Sequence, residues 1–170
     1  MKSLLSSLQG EKPPKESVEI RCASRLLLID EGGRLLLFKQ SINGIEFWGT
    51  PGGGVELGES WEEAARREAA EELGAKQVEL VRLWSDHSDR NFGGKTVCQT
   101  ETFFLVTRHS GVLGAEVKEL HDREGILEVR WWSPSSTEMS RQPLYPADLA
   151  DKLRKHLPSG TATRSMRSTR

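Results

Sequence analysis

Glu68, Glu71 and Glu72 stand at i, i+3 and i+4 within Trp61 to Leu73, a run rich in Ala, Glu and Arg. On a 3.6-residue helix this spacing puts three carboxylates on one face, where like charges repel. Elsewhere in the run the charges interleave favourably, Glu62 with Arg66 and Glu63 with Arg67. The uncompensated cluster asks for a cation. An oxygen-only donor set without His or Cys suits a hard ion, Mg2+ or Mn2+. Taken alone, the same spacing also fits an ordinary solvated acidic helix. Just ahead of it, Gly52-Gly53-Gly54 lets the backbone come close to a ligand or metal. The triplet lacks the Gly-Lys-Ser/Thr of a P-loop and is no GxGxxG between strand and helix.

These groups need elements to hold them. Ser60 is the predicted N-cap of the carboxylate helix, Glu63 completes a capping box, and Gly74 fits a left-handed C-terminal residue. Ile20 to Ile29 and Arg34 to Lys39 read as two strands of a hairpin around the turn Asp30-Glu31-Gly32-Gly33. Glu46 to Thr50 is a short extended piece, and Pro51 to Gly54 reads as neither helix nor strand interior. Val78 to Trp84, Val97 to Val106 and Leu127 to Trp132 are further expected strands. Ala147 to Leu157 is a second expected helix, with Leu149, Leu153 and Leu157 on one face. Residues 1–17 read as a loose leader, 18–157 as the folded domain and 158–170 as a disordered tail. The order of elements predicts a mixed α/β domain with helices packed on the sheet.

Composition sets the outer bounds. The chain has 170 residues, 36% hydrophobic and 29% charged, the size and balance of one globular domain. Lys plus Arg number 24 and Asp plus Glu 25, a net charge of −1. That argues against stable nucleic-acid binding by bulk electrostatics and leaves room for a small anion in a local site. Cys22 and Cys98 make no disulfide framework and no CxxC pair, and read as small buried side chains. No apolar stretch is long enough to span a bilayer, and Met1 to Gly10 does not read as a signal peptide, so the expected location is the cytoplasm.

The run from Gly53 to Ala75, GGVELGESWEEAARREAAEELGA, resembles the signature of the Nudix hydrolases. Gly53, Glu59, Arg67, Glu68, Glu71, Glu72 and Gly74 match at the signature's spacing, and Ala69 and Ala75 replace its larger aliphatic residues. Phe47 to Gly53 is similar to the family's Trp-x-x-Pro-Gly-Gly segment, and Val129 to Trp132 to its late strand. The likeness covers about residues 18–157. It implies a Nudix-like α/β/α sandwich, with a mixed sheet and the carboxylate helix packed on it. It implies Glu72 as main metal ligand with Glu68 beside it, and Glu71 as a metal ligand or an activator of water. The Gly52 carbonyl would complete the coordination, Arg67 would orient a carboxylate, and Glu59 would brace the loop against the helix. Mg2+, or Mn2+, is the implied cofactor. One more carboxylate from outside the signature is implied, and Glu124 is favoured over Glu116, Glu119 and Asp122.

The implied reaction is hydrolysis of a pyrophosphate linkage in a nucleoside diphosphate joined to another moiety. A nucleoside triphosphate is the default substrate, because the residues that mark ADP-ribose, dinucleoside-polyphosphate and NADH subtypes are missing. Arg21, Arg25 and Lys39 are candidates for phosphate. Trp48, with Phe47, Trp84, Phe92, Trp131 and Trp132, is a candidate to stack a base. A homodimer is left open and no membrane partner is expected. A nucleotide sensor without catalysis is the alternative; it would be expected to lack some of these carboxylates. An isoprenoid diphosphate isomerase on the same scaffold is disfavoured, because the four His residues form no cluster in sequence.

Overall fold

The computed structural model describes residues 17–42, 44–92, 95–110, 125–133, 141–157 and 167–168. The first sheet holds β1 (Ser17–Leu27), β4 (Gly52–Gly54), β5 (Gln77–Phe92) and β6 (Lys95–Ser110) in the order β4-β1-β6-β5, and β9 (Arg167–Ser168) joins β6. The second holds β2 (Leu35–Ile42), β3 (Ile45–Gly49), β7 (Ile126–Trp132) and β8 (Leu144–Tyr145) in the order β7-β2-β3-β8. Both sheets are mixed: β1 runs parallel to β6 and β3 to β8, while β2 is antiparallel to β3 and β7. The helices are α1 (Trp61–Leu73) and α2 (Leu149–His156). Among the described residues no helix is long and apolar enough to cross a membrane.

The expected hairpin is corrected. The turn forms as read: the Asp30 carboxylate accepts from the backbone N–H of Gly32 and Arg34, and Gly33 has φ 73°. Only an isolated bridge, Ile29 to Leu35, joins the two arms at its base. Beyond it β1 and β2 enter different sheets. Leu26 to Ile29 and Leu35 to Phe38 are buried without a break, so each run is covered on both faces, as a central strand is. Successive residues then feed two cores. Leu26, Leu28, Leu36 and Phe38 pack with Ala65, Ala69 and Leu73 of α1, while Leu27, Ile29, Leu35 and Leu37 pack with Leu149 and Leu153 of α2. The alternation sets the two helices on opposite faces.

Five further expectations change. Gly52 to Gly54 is a strand, at the edge of the first sheet and antiparallel to β1, where side-chain-free backbone can pair closely. β5 runs on to Phe92, because its polar stretch pairs with β6 through Ser85 with Thr102 and His87 with Thr100. Cys22 and Cys98 are half-buried rather than buried. Ser17, expected in the leader, opens β1, and Arg167–Ser168, expected in a disordered tail, pair with β6. The remaining residues of both end segments lie outside the described residues.

Candidate active site

Helix α1 is built to hold one face against β1 and β4. Ser60 accepts from the Glu63 N–H, the Glu63 carboxylate accepts from the Ser60 N–H, and Gly74 closes the helix in the left-handed conformation. The buried face is Ala64, Ala65, Glu68, Ala69, Glu72 and Leu73. Small Ala side chains let the helix lie close to the sheet, and Ala69 and Ala75, the departures from the family signature, are both buried in the core. Glu68 and Glu72 therefore meet the backbone of β4. The Gly52 N–H donates to Glu72 Oε2 at 2.6 Å. A Cβ on Gly53 would stand 2.3 Å from Glu68 Oε1, and one on Gly52 would stand 2.1 Å from the Ser24 carbonyl, where φ is also +122°. Gly52 is held to glycine by backbone contact and conformation, whereas a side chain at Gly53 would displace the Glu68 carboxylate.

The charge cluster is partly compensated by Arg67. Its Nη1 donates to Glu68 Oε1 at 2.7 Å and Glu71 Oε2 at 3.0 Å, its Nε to Glu59 Oε1 at 3.0 Å, and its Nη2 to the Gly54 carbonyl at 2.7 Å. One planar fork thus binds three carboxylates and the edge strand. Glu59 above all, and then Glu68 and Glu71, hold the Arg67 guanidinium above its ordinary range. Glu59 is held below its ordinary 4.5, first by the hydrogen bond from Arg67 and then by the Glu56 N–H. Glu68 and Glu72 are buried, whereas the Glu71 side chain is 51% exposed.

Among the described residues no three His, Cys, Asp or Glu side chains are gathered as a metal cage. The carboxylates face Arg67 and the Gly52 N–H instead. The chemistry of the donor set that the family resemblance implies, the carboxylates of Glu68, Glu71 and Glu72 with the Gly52 carbonyl, is all oxygen and suits a hard divalent cation.

A cleft of about 750 Å³ reaches β4 at Gly53 and Gly54 and is lined from both sheets by residues including Arg21, Arg25, Phe47, Gln99 and Tyr145. Arg21 and Arg25, the two arginines singled out in the sequence, thus both line the cleft. Arg21 pairs with Glu19 and is 63% exposed. Arg25 pairs with the buried Glu101 and also donates to the Gly52 carbonyl at 2.9 Å. Lys39 is outside the cleft lining and paired with Glu46. Trp48 is 3% exposed, edge-on to Trp132 in the core, because its position on β3 faces the α2 side. The aromatic surface in the cleft comes from Phe47 and Tyr145, edge to face at 5.9 Å. Glu124, Glu116, Glu119 and Asp122 lie outside the described residues.

Sequence reasoning missed Glu101 and Gln99. A carboxylate inside the strand-like run Val97 to Val106 is the signal that could have found Glu101, since a buried charge needs a partner.

The NUDIX domain model matches residues 20–153. The chain is 28% identical over 131 residues to a nucleoside triphosphatase NudI of Enterobacter, covering 75% of this chain and 87% of that one. It is 32% identical over 68 residues to an RNA pyrophosphohydrolase of Pelagibacter ubique, covering 40% of this chain and 43% of that one. Its fold is similar to the crystal structure of a MutT NUDIX hydrolase from Burkholderia pseudomallei, with a TM-score of 0.63 at 21% identity, covering 82% of this chain and 98% of that one. With a family model spanning most of its length, and with the signature carboxylates gathered on α1 against β4, the chain belongs to the Nudix hydrolase family.

Proposed function

We propose that this Nudix hydrolase cleaves a pyrophosphate linkage in a nucleoside triphosphate or a related nucleoside diphosphate derivative, with Mg2+ as the working cation. The observation that supports the reading is Arg67, which ties Glu68 and Glu71 to the edge strand β4 while Glu72 accepts from the Gly52 N–H, next to a cleft that reaches Gly53 and Gly54. A divalent cation held there supplies charge neutralisation for the diphosphate and acidifies the attacking water. Glu72 and Glu68 hold the cation, with the Gly52 carbonyl as a further donor. Glu71, exposed and tied only by Arg67 in the described contacts, takes a share of the cation or accepts a proton from water. Arg67 keeps the carboxylates from splaying apart in the absence of the cation, and Glu59 anchors Arg67 to the loop before the helix. Arg21 meets phosphate at the cleft, and Phe47 with Tyr145 offers the face and edge for a base.

The NudI relative supports a nucleoside triphosphate, and the net charge of −1 weighs against a long RNA substrate. The test is a substrate panel with Mg2+ or Mn2+: nucleoside triphosphates, oxidised triphosphates, ADP-ribose, nucleotide sugars, dinucleoside polyphosphates and a 5′-triphosphorylated RNA. Products are identified by mass. Cation-dependent cleavage within the phosphate chain of a triphosphate is the expected result. Tight binding of one class with no cleavage of any would replace the hydrolase by a sensor.

A further inference from the structure

The part-buried hydrogen-bond chain along the cleft carries a second inference, which rests on the Gly52 carbonyl being a cation donor. Tyr145, on β8 of the second sheet, donates its hydroxyl to Glu101 Oε2 at 2.8 Å and accepts from the Gln99 amide at 3.2 Å. Glu101, on β6 of the first sheet, accepts from Arg25 Nε at Oε1, 2.7 Å away. Arg25 then donates from Nη1 to the Gly52 carbonyl at 2.9 Å, and the same residue's N–H is held by Glu72. Both oxygens of Glu101 are therefore fixed, one from each sheet, and the Gly52 residue is gripped at both its N–H and its carbonyl.

We infer that Arg25, Glu101 and Tyr145 are positioning residues that tie the cleft between the sheets to the Gly52 carbonyl. The Arg25 and Glu101 side chains are only 17% and 5% exposed. A buried ion pair adds little stability over apolar residues of similar volume, so geometry is the better account of what the pair provides. The guanidinium suits the task because it forks: one nitrogen is spent on Glu101 and another on Gly52, and both bonds lie in one plane. A carbonyl has two acceptor sites, so the Gly52 oxygen can keep the Arg25 bond and still face a cation. Gln99 and Tyr145 line the cleft, so a nucleotide that pushes on either one acts through the chain on the carbonyl. Arg25, considered from sequence alone as a phosphate ligand, is assigned here to the backbone of β4.

The test is the affinity for Mn2+ alone, read by electron paramagnetic resonance on full-length protein that circular dichroism shows to be folded. Loss of stability by itself does not move that number. Tyr145→Phe removes one bond of the chain, and Arg25→Lys keeps the charge but cannot fork. Both variants are expected to weaken Mn2+ binding by about tenfold, the usual effect of removing a partner that orients a metal ligand. Glu72→Gln is the control and is expected to weaken it at least as much. Wild-type affinity in both chain variants, with weakened binding in Glu72→Gln, would overturn the inference and leave the cation site standing. Wild-type affinity in all three would overturn the cation site, and the inference with it.

Discussion

Arg67 is the hinge on which the chemistry of single residues turns. Without it, Glu59, Glu68 and Glu71 would repel across the junction of helix and edge strand; with it, each has a fixed partner. The glycines matter as much as the charges. Gly53 leaves room for the Glu68 carboxylate itself, so Gly53→Ala forces that carboxylate to move rather than the backbone. The expected cost is about 1–3 kcal/mol of stability, as for other overpacked sites, with a much larger proportional loss of turnover. Urea unfolding beside single-turnover assays checks this; a variant with full turnover would separate Glu68 from the chemistry. Glu68, Glu71, Glu72 and Arg67 were legible in the sequence because helical spacing makes neighbours of residues three and four apart. The Arg25–Glu101 pair was not, because 76 positions separate two residues brought together only by parallel pairing of β1 and β6. Trp48 was misplaced for a related reason: which face of a strand meets the core depends on the partner sheet.

The elements repeat that contrast. Helix α1 forms as read, because its cap, capping box and closing glycine are all local. The division of β1 and β2 between two sheets is not local, and the turn Asp30 to Gly33 gives no hint of it. The glycine run became an edge strand because β1 offered a free side to pair with. One element also predicts a pH response. His109 on β6 is 7% exposed, and burial holds its imidazole below the ordinary 6.5. The folded chain thus binds fewer protons at this site than the unfolded chain. The associated stability is complete above 6.5 and is lost as pH falls from there through the lower folded value. Urea midpoints from about pH 8 to about pH 5 should show that decline, and His109→Gln should flatten it. An unchanged slope in the variant would assign the decline to other groups.

For the molecule as a whole, two mixed sheets share a cleft among the described residues, and its lining includes Gly53 and Gly54 of β4, the strand against which α1 packs. On the proposed function the fold separates two tasks: α1 and β4 hold the groups that would deal with charge, while β3, β6 and β8 present the cleft surface that would meet the rest of the ligand. Tyr145, Glu101 and Arg25 join the two. Removing one carboxylate from α1 should end the first task without disturbing the second. Glu72→Gln keeps the side chain's shape and an acceptor for the Gly52 N–H but removes the charge. The deciding measurement compares wild type and Glu72→Gln for Mg2+-dependent cleavage of nucleoside triphosphates, with nucleotide binding measured on the same preparations. Loss of turnover by several orders of magnitude, with binding kept within a few-fold, is the predicted result. Near-normal turnover in Glu72→Gln would contradict the assignment of α1 as the catalytic helix.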